Sequence, residues 1–216
     1  TNDGSKDRTG AVLQELAQTY PELRPVDHPV NRGYGAAVFT AITNARKDLV
    51  LFTDSDRQFK LEEVDRLLPY IAEADMVVGY RAPRRDPPVR VLFGKGWSAL
   101  VTVLFGYTAR DIDCAFKLFR REVIEKVGPQ IQSRGATFSA EFLVRTKRAG
   151  FRIKEVPVSH LPRTAGLSLA RPFCILGLST VHRTGRHRLP ARHYPGEGIC
   201  RARMVRRYLA DCGLGG

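Results

Sequence analysis

Apolar residues along the chain alternate between helical spacing and short continuous runs. Between Asp7 and Tyr20, Val12, Leu13 and Leu16 form one helical face, and a second helix is predicted from Gly33. The remaining predictions alternate in type: strand 48–54, helix 61–74, strand 75–81, helix 91–106, strand 114–119, helix 139–150 and strand 151–160. This alternation predicts an α/β domain with a mostly parallel sheet flanked by helices.

Composition divides the chain near residue 170. Residues 171–216 contain nine Arg, no Lys, and only Glu197 and Asp211 as acids. We therefore predict a folded domain at 1–170 and a loosely ordered, Arg-rich tail at 171–216. The chain starts without Met and directly in a loop motif, so the first strand of the sheet is expected to be missing.

The strongest chemical pattern is the stretch "LFTDSDRQF", in which a buried strand ends in Asp54, Asp56 and Gln58. Two neighbouring carboxylates repel each other, and a cation between them relieves that repulsion. Mg²⁺ prefers oxygen ligands and usually shares them with substrate phosphates. The carboxyl ends of strands are also where α/β sheets bind ligands. The sequence therefore predicts a divalent metal that holds a nucleotide diphosphate.

Two Gly-containing motifs allow two interpretations each. In "NDGSKD", Asp3 lies either in a turn that enters a helix or against a nucleobase. In "NRGYGAA", Gly33 and Gly35 either begin a helix or let the backbone approach a ligand. A GxGxxG loop is absent from this segment, which disfavours NAD binding, and EF-hand spacing is absent as well.

The chain is strongly basic, with a formal net charge of +13 and a pI near 10.1. Such a surplus favours nucleic acid, anionic lipid headgroups or phosphate-rich substrates as partners. Nucleic acid is not expected, because the aromatic residues lie in apolar runs rather than between basic residues. The four cysteines form no CxxC pair, which favours a reduced, intracellular setting. The sequence contains no uninterrupted apolar run of about 20 residues, so we predict no membrane span.

A basic loop follows the strand that ends in "VVGYR". Arg81, Arg84, Arg85, Arg90 and Lys95 cluster there, beside an apolar helix predicted from 91. Arginine binds phosphate through two parallel hydrogen bonds, so we predict that this loop captures an acceptor phosphate. The apolar stripe from Val91 to Phe105, which includes Trp97, is either core or a landing site for a lipid chain.

In chain order, seven motifs resemble the family-two glycosyltransferases of the GT-A, Rossmann-like fold, and most of all the dolichyl- or polyprenyl-phosphate sugar transferases. They are "NDGSKDRT", "NRGYGAA", "TDSDRQF", "VVGYR", "DIDCAFKLFRREV", "AEFLVRTKRAGFRIKEVPV" and "PRTAGLS", and together they cover roughly 1–169. Each motif alone is weak, but their order and spacing are specific.

The resemblance implies roles for individual residues. Asp3, Gly33 and Asp54 would contact the nucleotide, and Asp56 and Gln58 would bind Mg²⁺ or Mn²⁺. Arg81 and Arg90 would face phosphates, and Asp111, Lys117 and Glu141 would lie near the sugar and the acceptor. The catalytic candidates are Asp54, Asp111 and Glu141. The chain departs from the pattern at Ala115, where Gly is expected, and at Ser168-Leu169, where a Ser-Lys pair is expected. Arg163 or Arg171 would then replace the missing phosphate-binding cation.

The implied activity is the inverting, metal-dependent transfer of mannose or glucose from a GDP- or UDP-sugar to a polyprenyl or dolichyl phosphate. A lipid phosphate is already anionic and needs no general base, whereas a hydroxyl acceptor would need one, with Asp111 or Glu141 as candidates. The expected location is cytoplasmic, peripheral on the cytoplasmic face of the membrane. Two alternatives stay open: a related transferase with a saccharide acceptor, and a degenerate, non-catalytic nucleotide- or nucleic-acid-binding protein.

Overall fold

The computed structural model describes residues 1–162 of the 216-residue chain. Arg163, the predicted domain boundary at 170 and the tail 171–216 lie outside the described residues. The elements are α1 (Thr9–Thr19), α2 (Tyr34–Thr43), β1 (Leu49–Thr53), α3 (Val64–Leu67), β2 (Met76–Arg81), α4 (Pro88–Phe105), β3 (Phe116–Arg120), α5 (Arg121–Val127), α6 (Phe138–Arg148) and β4 (Ile153–Val158). Short 3₁₀ segments flank α3 at Leu61–Glu63 and Leu68–Ala72, and another follows α5 at Gly128–Gln130.

The four strands form one sheet in the order β1-β3-β2-β4. The α/β fold with helices around a sheet is confirmed, but the expected mostly parallel pairing is not. Strands β2 and β4 are parallel, whereas β3 runs antiparallel to both β1 and β2. The reason is the connection through α4. The chain leaves the sheet at Arg81, the carboxyl end of β2, and re-enters it at Phe116, which pairs with Thr53 at the carboxyl end of β1. Strand β3 therefore starts where β1 and β2 end. Strands β1, β2 and β4 therefore share one direction, and β3 alone is reversed.

Both faces of the sheet are buried, as the apolar runs predict. In β2, Met76 and Val78 belong to one core cluster and Val77 to another, because successive side chains point to opposite faces. The first cluster lies against α2, α4, α5 and α6, and the second against the segment 61–74. The sheet is thus fixed on both sides, and its strand ends provide a rigid edge.

Two local predictions are confirmed and one helix was missed. The segment 61–74 is irregular around Pro69, with one α-helical turn between two 3₁₀ segments. Gly150 follows α6 with a φ of 89°, and its N–H donates to the Lys147 carbonyl while the Phe151 N–H donates to that of Thr146. This bonding pattern is a Schellman C-cap. Helix α5 directly follows β3 and was not predicted.

Helix α4 buries one face and leaves much of its apolar surface in solvent. Trp97 and Val101 pack on the core, whereas Leu92 is 71% and Val103 82% exposed. By length and composition alone, this helix of 18 residues is long and apolar enough to cross a membrane, although buried helices of soluble proteins pass the same test. Only 11% of it is buried, so it is not such a core helix. The sequence prediction had not recognised it as a candidate span.

Candidate functional site at the carboxyl edge of the sheet

A carboxylate and a phenol meet where β1 ends. The Tyr34 hydroxyl, at the start of α2, donates to Asp54 Oδ1 over 3.2 Å. Burial, followed by the charge of Asp54, raises the pKa of Tyr34 well above its ordinary value. The phenol therefore stays protonated and serves as a hydrogen-bond donor that orients Asp54.

The next turn places Asp56 and Gln58. Asp56 Oδ1 accepts the Gln58 backbone N–H over 3.1 Å, and Arg57 between them has a φ of 60°. The buried side chain of Gln58 directs its Nε2 at His160 Nε2 and at the Leu161 carbonyl, each 3.2 Å away. With the amide nitrogen held there, the amide oxygen is the atom that would serve as a metal ligand.

These residues fit a hard divalent cation that completes its shell with substrate oxygens. Asp54, Asp56 and Gln58 offer the oxygen atoms that Mg²⁺ and Mn²⁺ prefer. Within residues 1–162, no three His, Cys, Asp or Glu side chains form a metal-binding group.

A buried lysine shapes the loop that precedes β3. No part of Lys117 reaches the surface, and its Nζ donates to the carbonyl oxygens of Ile112 and Cys114. Burial lowers the pKa of Lys117, and the charges around it, Asp113 among them, oppose this shift. Lys117 thus fixes the backbone of the 111–114 loop through these two hydrogen bonds. The predicted contact with an acceptor phosphate stays a prediction.

The pKa values of two aspartates in this loop shift in opposite directions. Burial would raise the pKa of Asp111, but hydrogen bonds and charge from Arg81 hold it below its ordinary value. Asp113 is accessible to water yet crowded by protein on its other sides, and burial followed by the charge of Asp111 raises its pKa. Asp111 is therefore a poor base near neutral pH, whereas Asp113 holds a proton more readily.

Three arginines surround one carboxylate in the loop between β2 and α4. Asp86, with a side chain only 6% exposed, pairs with Arg84 at 3.0 Å, Arg81 at 3.2 Å and Arg90 at 3.4 Å. Arg81 also binds both oxygens of Asp111, each at 2.7 Å. We call Arg81, Arg84 and Arg90 the arginine cage. Arg85, grouped with them by sequence, is exposed, and its backbone N–H donates to His160 Nδ1 over 3.1 Å.

Asp3 organises the entrance to α2. One oxygen accepts the Arg32 N–H and the other the Gly33 N–H, both at 2.9 Å, and His28 Nδ1 lies 2.7 Å from the first. Gly33 begins α2 with a φ of 96°, which confirms a helix-entry role for this glycine. The predicted nucleobase contact of Asp3 and nucleotide contact of Gly33 stay predictions.

Glu141 lies on α6 and supports a loop. Its carboxylate accepts the backbone N–H groups of Gln132 and Ser133 and pairs with Arg145 at 2.6 Å. The loop carries Arg134, whose carbonyl accepts the Ala36 N–H. Glu141 therefore positions the loop that packs on the start of α2, and its predicted catalytic role is untested.

This edge of a mixed sheet has counterparts among known proteins. The sequence profile of Glycosyl transferase family 2 matches residues 1–128, more than half of the chain. The chain belongs to glycosyl transferase family 2. The resemblance inferred from the seven motifs is thereby confirmed.

Family relatives extend the match beyond residue 128. A dolichyl-phosphate beta-glucosyltransferase of Trichomonas vaginalis is 32% identical over 73% of this chain and 50% of its own length. The polyprenol monophosphomannose synthase of Mycolicibacterium smegmatis is 31% identical over 77% of this chain and 67% of its own. A dolichyl-phosphate beta-glucosyltransferase of Saccharomyces cerevisiae is 26% identical over 73% and 54%. The chain thus spans about half the length of several relatives.

Solved structures support the fold of this family-two chain. A glucosyl-3-phosphoglycerate synthase from Mycobacterium tuberculosis, in complex with Mn²⁺, UDP and glucosyl-3-phosphoglycerate, matches with a TM-score of 0.54 and 20% identity. The match covers 76% of this chain and 60% of that one. At this identity the likeness concerns the fold.

Sequence reasoning about this family-two chain missed four residues that the structure brings to the site: Tyr34, Asp86, Asp113 and His160. Tyr34 and Asp113 lie inside quoted motifs, so proximity to a recognised residue was a usable signal. Asp86 is the single acid within a run of arginines, which is a signal for an internal ion pair. His160 becomes visible only when β4 brings it beside Gln58, 102 positions away in sequence.

Proposed function

We propose that this protein transfers a sugar, mannose or glucose, from a GDP- or UDP-sugar to a polyprenyl or dolichyl phosphate, with inversion at the anomeric carbon. One observation carries the proposal. The arginine cage joins the carboxyl end of β2, through Arg81, to α4, through Arg90, and α4 has an exposed apolar face. Groups for a diphosphate, an acceptor phosphate and a lipid chain are therefore neighbours.

Asp54, Asp56 and Gln58 would hold Mg²⁺ or Mn²⁺ with the donor diphosphate. A divalent ion there neutralises the charge that develops on the leaving nucleotide. Tyr34 contributes by fixing Asp54 through its hydroxyl. The Leu161 carbonyl contributes by accepting the amide N–H of Gln58.

The acceptor phosphate supplies its own nucleophilic oxygen, because it is anionic near neutral pH. This fits Asp111, whose lowered pKa makes it a weak proton acceptor. Arginine is suited to the remaining task, which is to hold the phosphate by bidentate hydrogen bonds.

The exposed face of α4 would receive the acceptor's lipid chain at the membrane surface. An open apolar groove of about 340 Å³ runs along it, lined by Leu92, Phe93, Gly96, Trp97 and Leu100. The net charge of +13 would add attraction to anionic headgroups. The proposed location is peripheral, on the cytoplasmic face of a membrane. The similarity to the dolichyl-phosphate and polyprenol-phosphate transferases of Trichomonas and Mycolicibacterium supports a lipid-phosphate acceptor.

One observation favours a second candidate, transfer to a saccharide hydroxyl. Asp113 is accessible to water and has a raised pKa, which suits a general base for such an acceptor. In that reaction Asp113→Asn would abolish transfer. In transfer to a lipid phosphate, the same substitution would leave substantial activity.

The decisive experiment incubates the protein with radiolabelled GDP-mannose, UDP-glucose and other nucleotide-sugars, in the presence of Mg²⁺ or Mn²⁺ and vesicles that contain a polyprenyl phosphate. Label that extracts with the lipid supports the proposal. Label that appears only in water-soluble saccharide supports the second candidate. Nucleotide binding without any transfer would contradict both.

A further inference from the structure

We propose that Glu155 is a positioning residue for acceptor binding: it fixes the backbone just before Asp111, and Asp111 in turn aims Arg81 into the arginine cage. The inference rests on the proposed function, since it concerns how the same arginines are presented to the acceptor phosphate. Glu155 lies on β4, beside Val78 of β2, and acts through other residues rather than on a substrate.

The carboxylate of Glu155 holds the segment that connects α4 to the 111–114 loop. This segment, 106–110, belongs to no helix or strand. One Glu155 oxygen accepts the Tyr107 hydroxyl, and the other accepts the Arg110 backbone N–H over 2.6 Å. The hydrogen bond to Glu155, followed by burial, raises the pKa of Tyr107 to about 12, so the phenol stays a donor at neutral pH. We call Glu155, Tyr107 and Arg110 the Glu155 clamp.

Two further contacts hold the Glu155 clamp against neighbouring elements. Lys147 of α6 donates to the Tyr107 carbonyl oxygen. The guanidinium carbon of Arg110 lies 4.6 Å from the centroid of the Tyr80 ring on β2. Arg110 is thus tied to β4 by its backbone and to β2 by its side chain, and these two strands are neighbours in the sheet.

The residue after the Glu155 clamp sets the direction of an arginine. Asp111 accepts Nε and Nη2 of Arg81 over 2.7 Å each, and the Arg81 backbone N–H over 3.2 Å. The remaining nitrogen, Nη1, is directed at Asp86, 3.2 Å away, which is the anion that the arginine cage holds. Because Asp111 follows the anchored Arg110 directly, release of the clamp would shift Asp111 and turn Nη1 away from the place proposed for the phosphate.

Two variants of equal charge test the inference. Glu155→Ala removes both hydrogen bonds, whereas the amide of Glu155→Gln still accepts one N–H and donates to the Tyr107 hydroxyl oxygen. Calorimetry with inorganic phosphate and with farnesyl monophosphate should show binding weakened about 3- to 10-fold in Glu155→Ala and less than about 2-fold in Glu155→Gln. A purely electrostatic role predicts the opposite sign, since loss of a negative charge would tighten binding equally in both variants.

Three further measurements locate the effect. Binding of UDP or GDP with Mn²⁺ should stay unchanged in Glu155→Ala, which a general loss of stability would not allow. Tyr107→Phe removes one hydrogen bond without changing charge and should weaken phosphate binding about 2-fold. In Asp111→Asn the group that Glu155 positions is already altered, so adding Glu155→Ala should change phosphate affinity less than about 2-fold.

Hydrogen exchange of the Arg110 amide, which Glu155 protects, should accelerate in Glu155→Ala. Equal phosphate affinities in the wild type and Glu155→Ala would overturn the inference, as would additive effects in the double variant. If phosphate binding responds as expected but the wild-type chain transfers no sugar to polyprenyl phosphate, the inference holds and the lipid acceptor of the proposed function fails. A wild-type chain that binds neither phosphate ligand would overturn both.

Discussion

The two sides of the site hold their charges in opposite ways. On the donor side, the carboxylates of Asp54 and Asp56 lie close together at a strand end and are half-buried. On the acceptor side, around Asp86 and Asp111, carboxylates and arginines neutralise each other almost out of solvent. A site rich in carboxylates suits a divalent cation that arrives with its substrate. A neutralised site must exchange an internal partner for its substrate, and this exchange lowers its apparent affinity.

The largest expected effect separates the two sides. Asp56→Ala removes a proposed metal ligand, so UDP or GDP should no longer bind more tightly with Mn²⁺ than with EDTA. Transfer should fall by about 100-fold or more, because the leaving diphosphate loses charge stabilisation. Calorimetry of nucleotide binding and the lipid-extraction assay measure the two quantities.

Glu62→Ala is the matched control, since Glu62 is an exposed acid in the first 3₁₀ segment. It should alter neither the metal dependence nor the rate. If Asp56→Ala instead weakens phosphate binding at the arginine cage as strongly as nucleotide binding, the two sides are not separate sites.

The second prediction concerns the acceptor side. Replacing Arg84 and Arg90 together with Ala removes two charged contacts and should raise the KM for polyprenyl phosphate by about 10- to 100-fold. Binding of the nucleotide should be unaffected. Arg85→Ala should change the KM by less than about 3-fold, because its side chain is exposed outside the arginine cage. Equal increases in KM from Arg85→Ala and the double variant would indicate that the loop acts only through its net charge.

The extent to which sequence predicted this molecule follows the same division. On the donor side, the hydrophobic periodicity and the turn-forming residues are local features of the sequence. For this reason β1, the entry to α2 and the position of the carboxylates after β1 were all predicted. On the acceptor side, the predicted cluster of Arg81, Arg84, Arg85, Arg90 and Lys95 did not separate the three arginines of the arginine cage from Arg85 and Lys95, which are exposed. That separation depends on where a short loop turns, which sequence spacing does not encode. The reversal of β3 was missed for a related reason, since it depends on which edge of the sheet α4 returns to.

The third prediction sharpens the difference in polarity between the two sides. Leu92→Asp combined with Val103→Asp places charge on the exposed face of α4 and should lower binding to anionic vesicles by about 10-fold. Nucleotide binding and thermal stability should change little, because these side chains are 71% and 82% exposed. Vesicle co-sedimentation measures the effect. Val12→Asp, on the apolar surface of α1, serves as the control, and an equal loss there would show that α4 has no special role.

The smallest expected effect tests His160, which lies between the two sides: its Nδ1 accepts the Arg85 N–H, and its Nε2 is 3.2 Å from the Gln58 amide nitrogen. Burial lowers the pKa of His160 below its ordinary 6.5; the charges of Arg81 and Arg84 add to this shift, and those of Asp86 and Asp111 oppose it. Below pH 6.5 the unfolded chain therefore binds a proton that the folded chain still excludes. The free energy of unfolding should fall as pH drops from 6.5, by no more than about 1.4 kcal/mol per pH unit from this group.

Urea unfolding at pH 7.5, 6.5 and 5.5 measures this slope, and His160→Gln should flatten it. The pKa values of Asp3, Asp86 and Asp111 are lowered from 3.8, so their stabilisation is lost only at still lower pH and does not overlap this window. A slope that persists in His160→Gln would assign it to another group. A slope that disappears together with the metal dependence of nucleotide binding would show that the neutral ring, whose Nδ1 accepts the Arg85 N–H, also supports the donor side.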